Sequence, residues 1–239
     1  MWLGSGTVQT GCWQLKLTTH LSPNCGPRRG NVLPDMVVIH YTAMFSAPAA
    51  LRVLCDPTSQ VSAHYLIASD GEILSLVPEA MRAWHAGVGK WGKFTDVNSH
   101  SIGIELANDG FSPFAAAQMD ALSQLLDGIQ TRWAIKPERI IGHSDMTPGR
   151  KIDPGSRFDW RRLARQGHSV WPTPSAHPAD FATMMARFGY TATTDLDLLL
   201  KSFRLRFRPW ATGPLDDTDA ALITDLANRF PVDPSGTWA

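Results

Sequence analysis

Apolar residues along the chain gather in short runs separated by turn-forming residues. The first run of strand length is MVVIH, residues 36–40, apolar up to its final position. Such a run suits a strand buried on both faces that delivers a polar side chain at its exit. SAHYLIASDGEILSLV, residues 62–77, has two apolar runs about Asp70-Gly71, a strong short-range signal for a hairpin. In SIGIELAN, residues 101–108, Ile102, Ile104 and Leu106 alternate with Ser101, Gly103 and Glu105. A strand there carries the Glu105 carboxylate on the face opposite its apolar side chains. The period then lengthens: Met119, Leu122, Leu125, Leu126 and Ile129 predict a helix over residues 113–133, with Ser112 as N-cap and Pro113 in the first turn. RIIGH, residues 139–143, predicts another strand ending in histidine, and FDWRRLARQG, residues 158–167, an amphipathic helix. Strands with helices packed on them make an α/β domain over residues 1–170.

After residue 170 the pattern changes. WPTPSAHP, residues 171–178, reads as a proline-rich linker. Residues 179–239 hold three helical patterns with Gly189 and Pro209 as stops, which predicts a small all-α three-helix module near the lower size limit for a core of its own. Its most basic stretch, residues 201–208, interleaves Arg204 and Arg206 with Phe203, Leu205 and Phe207. This is expected to be one amphipathic element whose charges face water.

Composition removes several classes of function. Of 239 residues, 44% are hydrophobic, and 22 basic side chains balance 22 acidic ones, so no global field draws the chain to nucleic acid or an anionic membrane. No apolar run approaches the ~20 residues of a membrane span. The three cysteines, Cys12, Cys25 and Cys55, lack CxxC spacing and are expected to be inert thiols rather than a disulfide framework or zinc knuckle. The opening residues show neither a basic segment nor an apolar core of the signal-peptide kind, and what precedes Gly11-Cys12 is too polar for a lipoprotein processing site. The expected location is therefore cytoplasmic, with a periplasmic or outer-membrane-associated one as the alternative if a longer N-terminus exists.

His40 and His143 end separate predicted strands, and Asp153 follows in the loop GRKIDPG. Two imidazoles and a carboxylate with a fourth position open is the donor set of a catalytic zinc site. Spacing alone leaves a second reading open, in which the histidines are merely hydrogen-bonded strand ends. Lys151 lies two residues from Asp153, between helix-hostile neighbours.

VVIHYTAM, VSAHYLIASDGEI, RAWHAG, NSHSIGIELAN and IIGHSDMTPGRKIDPG, in this order after SPNCGPRRG, resemble the zinc-dependent N-acetylmuramoyl-L-alanine amidases of the AmpD and AmiD type. The resemblance runs from Ser22 to about Trp160 and implies a central mixed β-sheet flanked by helices. It also implies one zinc per chain held by His40, His143 and Asp153, with Glu105 and Lys151 as catalytic side chains and muropeptides or peptidoglycan fragments as partners. The bottom-up chemistry agrees. Zinc lowers the pKa of bound water to about 7, a carboxylate shuttles the proton to the leaving amine, and a lysine stabilises the oxyanion. Related phage lysozymes and peptidoglycan recognition proteins carry a catalytic tyrosine where this chain has Ala63, which places the base role on Glu105. His85, Asn108 and Tyr65 are the candidates for contacting substrate, whereas His64, between apolar neighbours, is expected to be structural. The tail resembles the helical peptidoglycan-binding module that follows AmiD-like catalytic domains, the plainer alternative being a packing appendage. A non-catalytic recognition protein on the same scaffold is the runner-up for function, and a zinc amidase acting on another acylated peptide the third.

Overall fold

A computed structural model of the chain describes residues 17–233, so Cys12 lies outside the described residues. The strands are β1 (Leu17–Thr19), β2 (Cys25–Pro27), β3 (Met36–Tyr41), β4 (Tyr65–Ile67), β5 (Ile73–Ser75), β6 (Met81–Ala83), β7 (Ser101–Leu106) and β8 (Ile140–Gly142). The α-helices are α1 (Ala47–Leu54), α2 (Val97–His100), α3 (Ala116–Trp133), α4 (His143–Met146), α5 (Trp160–Arg165), α6 (Phe181–Phe188), α7 (Leu196–Phe207) and α8 (Asp217–Arg229). Six strands form one mixed sheet in the order β1-β5-β4-β7-β3-β8, and β2 pairs with β6 in a separate ribbon. The hairpin expected at Asp70-Gly71 joins β4 to β5 in antiparallel register, while β4, β7, β3 and β8 run parallel to one another.

The period of two along β3 and β7 divides the molecule into layers. Val37, Ile39, Ile102, Ile104 and Leu106 face α3, whose Met119, Leu122, Leu125, Leu126 and Ile129 pack on them together with Leu163 of α5. Met36 and Val38 face the other way, joined by Ile141 of β8 and Met146 of α4. That second face is covered by the C-terminal helices: Phe181, Met185, Phe188, Phe203, Phe207, Ile223 and Leu226 belong to the same continuous apolar cluster as Met36 and Val38. Burying a side chain of this size removes roughly 1.5–3 kcal/mol of apolar exposure relative to water, so the tail and the sheet stabilise each other. Each of the three helices is capped in the same way, with Asp180, Asp195 and Asp216 accepting from the backbone N–H three residues on.

Two local expectations are corrected. The helix predicted from Pro113 begins at Ala116, with Ala115 as N-cap. Asp109 takes Ser112 away from the capping role, accepting from the Phe111 and Ser112 amides and from the Ser112 hydroxyl, a side-chain turn that competes with helix initiation. Of the charges expected to face water on α7, Lys201 does so but the two arginines do not: Arg204 is 8% exposed and Arg206 only 2%. α7 lies between α4 and the other tail helices rather than at the surface, and buried acidic partners compensate the desolvation. Arg204 pairs with Asp219, while Arg206 pairs with Asp145 at 2.7 Å and stacks on Trp160, 4.2 Å from its ring centre. Among the described residues no helix is long and apolar enough to cross a membrane.

Candidate active site

The sheet sets the first distance in the site. His40 on β3 and Glu105 on β7 are directly paired in parallel register, so both side chains leave the same face at neighbouring strand positions. β8 ends at Gly142 and His143 opens the short helix α4, the chain then turning back through Lys151 to Asp153. That return is pinned by the Ser144 amide donating to the Asp153 carbonyl at 2.9 Å and by the Thr147 hydroxyl donating to the His143 carbonyl at 2.6 Å. The result is a cavity of about 540 Å³ whose walls include His40, His85, Glu105, His143, Lys151 and Asp153.

Inside it, three donor atoms make a nearly equilateral triangle. His40 Nδ1 lies 3.0 Å from His143 Nδ1 and 2.9 Å from Asp153 Oδ2, and His143 Nδ1 lies 3.0 Å from the same oxygen. The surrounding hydrogen bonds assign the protons. His143 Nε2 is 2.9 Å from the Ala86 carbonyl and must donate to it, which leaves Nδ1 bare. The Ser101 hydroxyl donates to the Val97 carbonyl at 2.6 Å, so it accepts from His85 Nε2 at 3.1 Å. His85 Nδ1 is then an acceptor, and His40 Nε2, 3.0 Å away, donates to it. His40 Nδ1 is bare as well. Burial, reinforced by the neighbouring His143, lowers the His40 pKa to about 4 and keeps the ring neutral. Three lone-pair donors facing one another repel unless a cation lies between them, and these three satisfy the geometry for a shared metal ion.

Glu105 stands beside this triangle. Its Oε2 is buried without a hydrogen-bond partner among the described residues. Burial first, and then the Asp153 charge, push its pKa up to about 8, with Lys151 pulling the other way. An orphaned carboxylate oxygen raised toward neutrality is suited to proton transfer near pH 7. Lys151 is exposed at the rim of the same cavity.

The remaining sequence candidates divide. His85 lines the cavity, but its ring nitrogens are committed to His40 and Ser101, so it orients a candidate ligand instead of presenting a free donor to substrate. Gly103 makes room for that ring, since a Cβ there would meet the His85 imidazole at 2.4 Å. Tyr65 is not brought to the site: β4 pairs it with Ile104, which turns it to the α3 face, and its hydroxyl donates to Glu79 at 2.8 Å. Asn108 is spent on its own loop, accepting from the Gly110 amide and donating to the Ser112 carbonyl. His64 is built into the sheet wall, accepting from the Gly103 amide and donating to the Met81 carbonyl. Thr42, Met44, Trp84, Arg150 and Ile152 also line the cavity. Trp84 and Arg150 lie inside the blocks RAWHAG and GRKIDPG, and proximity to His85 and Lys151 was the available signal for them.

Comparison with known proteins gives the family. Residues 29–156 match the N-acetylmuramoyl-L-alanine amidase family. The chain belongs to that family. It is 36% identical over 231 residues to the N-acetylmuramoyl-L-alanine amidase AmiD of Escherichia coli, a match covering 82% of this chain and 83% of that one. The 1,6-anhydro-N-acetylmuramyl-L-alanine amidase AmpD of Citrobacter freundii is 34% identical, over 65% of this chain and 90% of its own. Among solved structures, AmiD of E. coli with the substrate anhydro-N-acetylmuramic acid-L-Ala-D-gamma-Glu-L-Lys superposes with a TM-score of 0.75 at 34% identity, covering 85% of this chain and 93% of that chain. AmpDh3 of Pseudomonas aeruginosa gives 0.74 at 30% identity, covering 95% and 99%. The family member described here is thus an enzyme, an amide hydrolase on a mixed sheet flanked by helices, and enzymes of the family depend on zinc in general.

Proposed function

We propose that this amidase cleaves the amide between the lactyl group of N-acetylmuramic acid, in its anhydro or intact form, and L-alanine of the stem peptide, with one zinc ion held by His40, His143 and Asp153. The observation that carries the reading is the convergence of three bare donor atoms next to a partnerless, buried carboxylate oxygen. A zinc ion held there supplies Lewis acidity, lowering the pKa of water to about 7 and polarising a carbonyl. Glu105 takes the proton from the attacking water and returns it to the departing amine nitrogen, the two halves of one general acid/base cycle. Lys151, on the exposed rim, directs its ammonium at the carbonyl oxygen as negative charge develops there. His85 and the Ala86 carbonyl fix which imidazole nitrogen each ligand histidine presents. The walls contributed by Trp84 and Arg150 hold the glycopeptide with its amide over Glu105.

The test is digestion of defined muropeptides, anhydro and non-anhydro, read by mass spectrometry before and after chelator treatment and after zinc is restored. Release of free stem peptide that disappears with chelator and returns with zinc is expected. Undigested muropeptides of both kinds from zinc-loaded protein would refute the proposal.

A further inference from the structure

The ligand histidine His143 sits on a helix of only four residues, too short to hold itself in place, and its bracing comes from the far end of the chain. Asp145, two residues after His143 and fully buried, accepts from the Gly142 amide and from Arg206 of α7, both at 2.7 Å. Its other oxygen accepts from the hydroxyl of Tyr190, just after α6. Arg206 also donates to the Ile140 carbonyl at 3.0 Å and to the Ser169 hydroxyl at 3.1 Å, so one guanidinium ties the last strand before His143 to the helix that carries it. One turn earlier on α7, the Ser202 hydroxyl donates to the Ser144 carbonyl at 2.6 Å, and the Ser144 amide in turn holds the Asp153 carbonyl. Leu198 closes on Gly149 of the same loop, where a Cβ would meet it at 2.9 Å.

We infer that Arg206 and Tyr190 are positioning residues for the metal centre: through Asp145 the C-terminal helices hold His143, and through Ser144 the Asp153 segment, at the spacing that a shared ion requires. The inference rests on the zinc reading of His40, His143 and Asp153. It gives the tail a part in the chemistry that needs no contact with substrate. Packing alone does not account for the arrangement, because the guanidinium and hydroxyl converge on the one carboxylate of α4. A second buried arginine on the same helix, Arg204, serves α8 instead through Asp219 and the Gly213 and Pro214 carbonyls.

That second pair provides the control. Zinc dissociation constants, by competition with a chromogenic chelator, and melting temperatures would be measured for full-length wild type, Arg206→Met, Tyr190→Phe and Arg204→Met. Tyr190→Phe keeps the ring against Trp91, whose centroid is 5.0 Å away, and deletes only the hydroxyl, so it decides the matter if Arg206→Met does not fold. Arg206→Met and Tyr190→Phe are expected to weaken zinc binding on the order of tenfold, the lower end of the range for losing a group that orients a ligand. Arg204→Met should lower the melting temperature and leave zinc affinity unchanged. Wild-type affinity in Tyr190→Phe, or an equal loss in Arg204→Met, would overturn the inference while leaving the zinc site standing. A wild type that binds no zinc would overturn both.

Discussion

Glu105→Gln in the metal-free protein isolates the cost of placing a carboxylate in this cavity. The folded-state pKa of Glu105 is raised to about 8, chiefly by burial, against 4.5 for the freely solvated group. With the folded value above the unfolded one, the stability this group contributes is fully present below pH 4.5. It is lost as pH rises through about 8, because the unfolded chain releases the proton first. At about 1.4 kcal/mol per unit, the loss between pH 5 and pH 8 comes to about 3 kcal/mol. Glutamine keeps the shape and cannot titrate; its own burial cost is independent of pH and cancels in the comparison. Urea denaturation of chelator-treated wild type and Glu105→Gln at the two pH values therefore measures the effect as a difference of differences, in which the histidines and Asp153 are common to both proteins. Wild type should lose about 3 kcal/mol more than the variant over this interval. Parallel pH dependence in the two proteins would show that Glu105 is solvated, and would remove the basis for its proton-transfer role.

Lys151→Met should retain zinc and leave KM little changed while kcat falls by about 2.7–4 kcal/mol equivalent, the loss expected for one oxyanion donor; loss of zinc, or a raised KM with normal kcat, would assign Lys151 to Asp153 or to ground-state binding instead. His85→Phe fills the space over Gly103 but leaves the His40 Nε2 proton without an acceptor. It should weaken zinc binding roughly tenfold to a hundredfold by chelator competition, and undiminished affinity would show that His40 finds its orientation unaided.

What the sequence made legible was whatever depends on period and local chemistry. The alternation in SIGIELAN placed Glu105 opposite Ile102 and Ile104, and the structure has it so. The apolar positions of α3 were readable for the same reason, although its start was not, because Asp109 captured Ser112 at short range. The identities of His40, His143 and Asp153 came from motif blocks, and the way they meet came from register. Pairing is a relation between segments, and no single segment of sequence carries it. Tyr65 shows the limit: whether it accompanies Ile104 or Glu105 depends on a one-residue choice of register, and the choice made sends it away from the site. Arg206 shows another, since its acidic partner lies 61 positions back along the chain. A buried arginine and a solvated one look alike until the partner is placed.

The register pairing of His40 with Glu105 has a consequence for how such an enzyme diversifies. Their separation is set by the spacing of adjacent strands, about 4.8 Å in any sheet, and no connecting segment contributes to it. Exposed Phe45, Val88 and Phe111, by contrast, all lie outside the regular strands and helices. Insertions and replacements in those outer segments leave the His40–Glu105 spacing unchanged, because the two side chains cannot drift apart unless two central strands slip by whole residues. The loop of Arg150, Lys151 and Asp153 has no such protection, since it shapes the cavity wall and the donor triangle together, and a laboratory library there should yield dead enzyme far more often than one confined to Phe45, Val88 and Phe111.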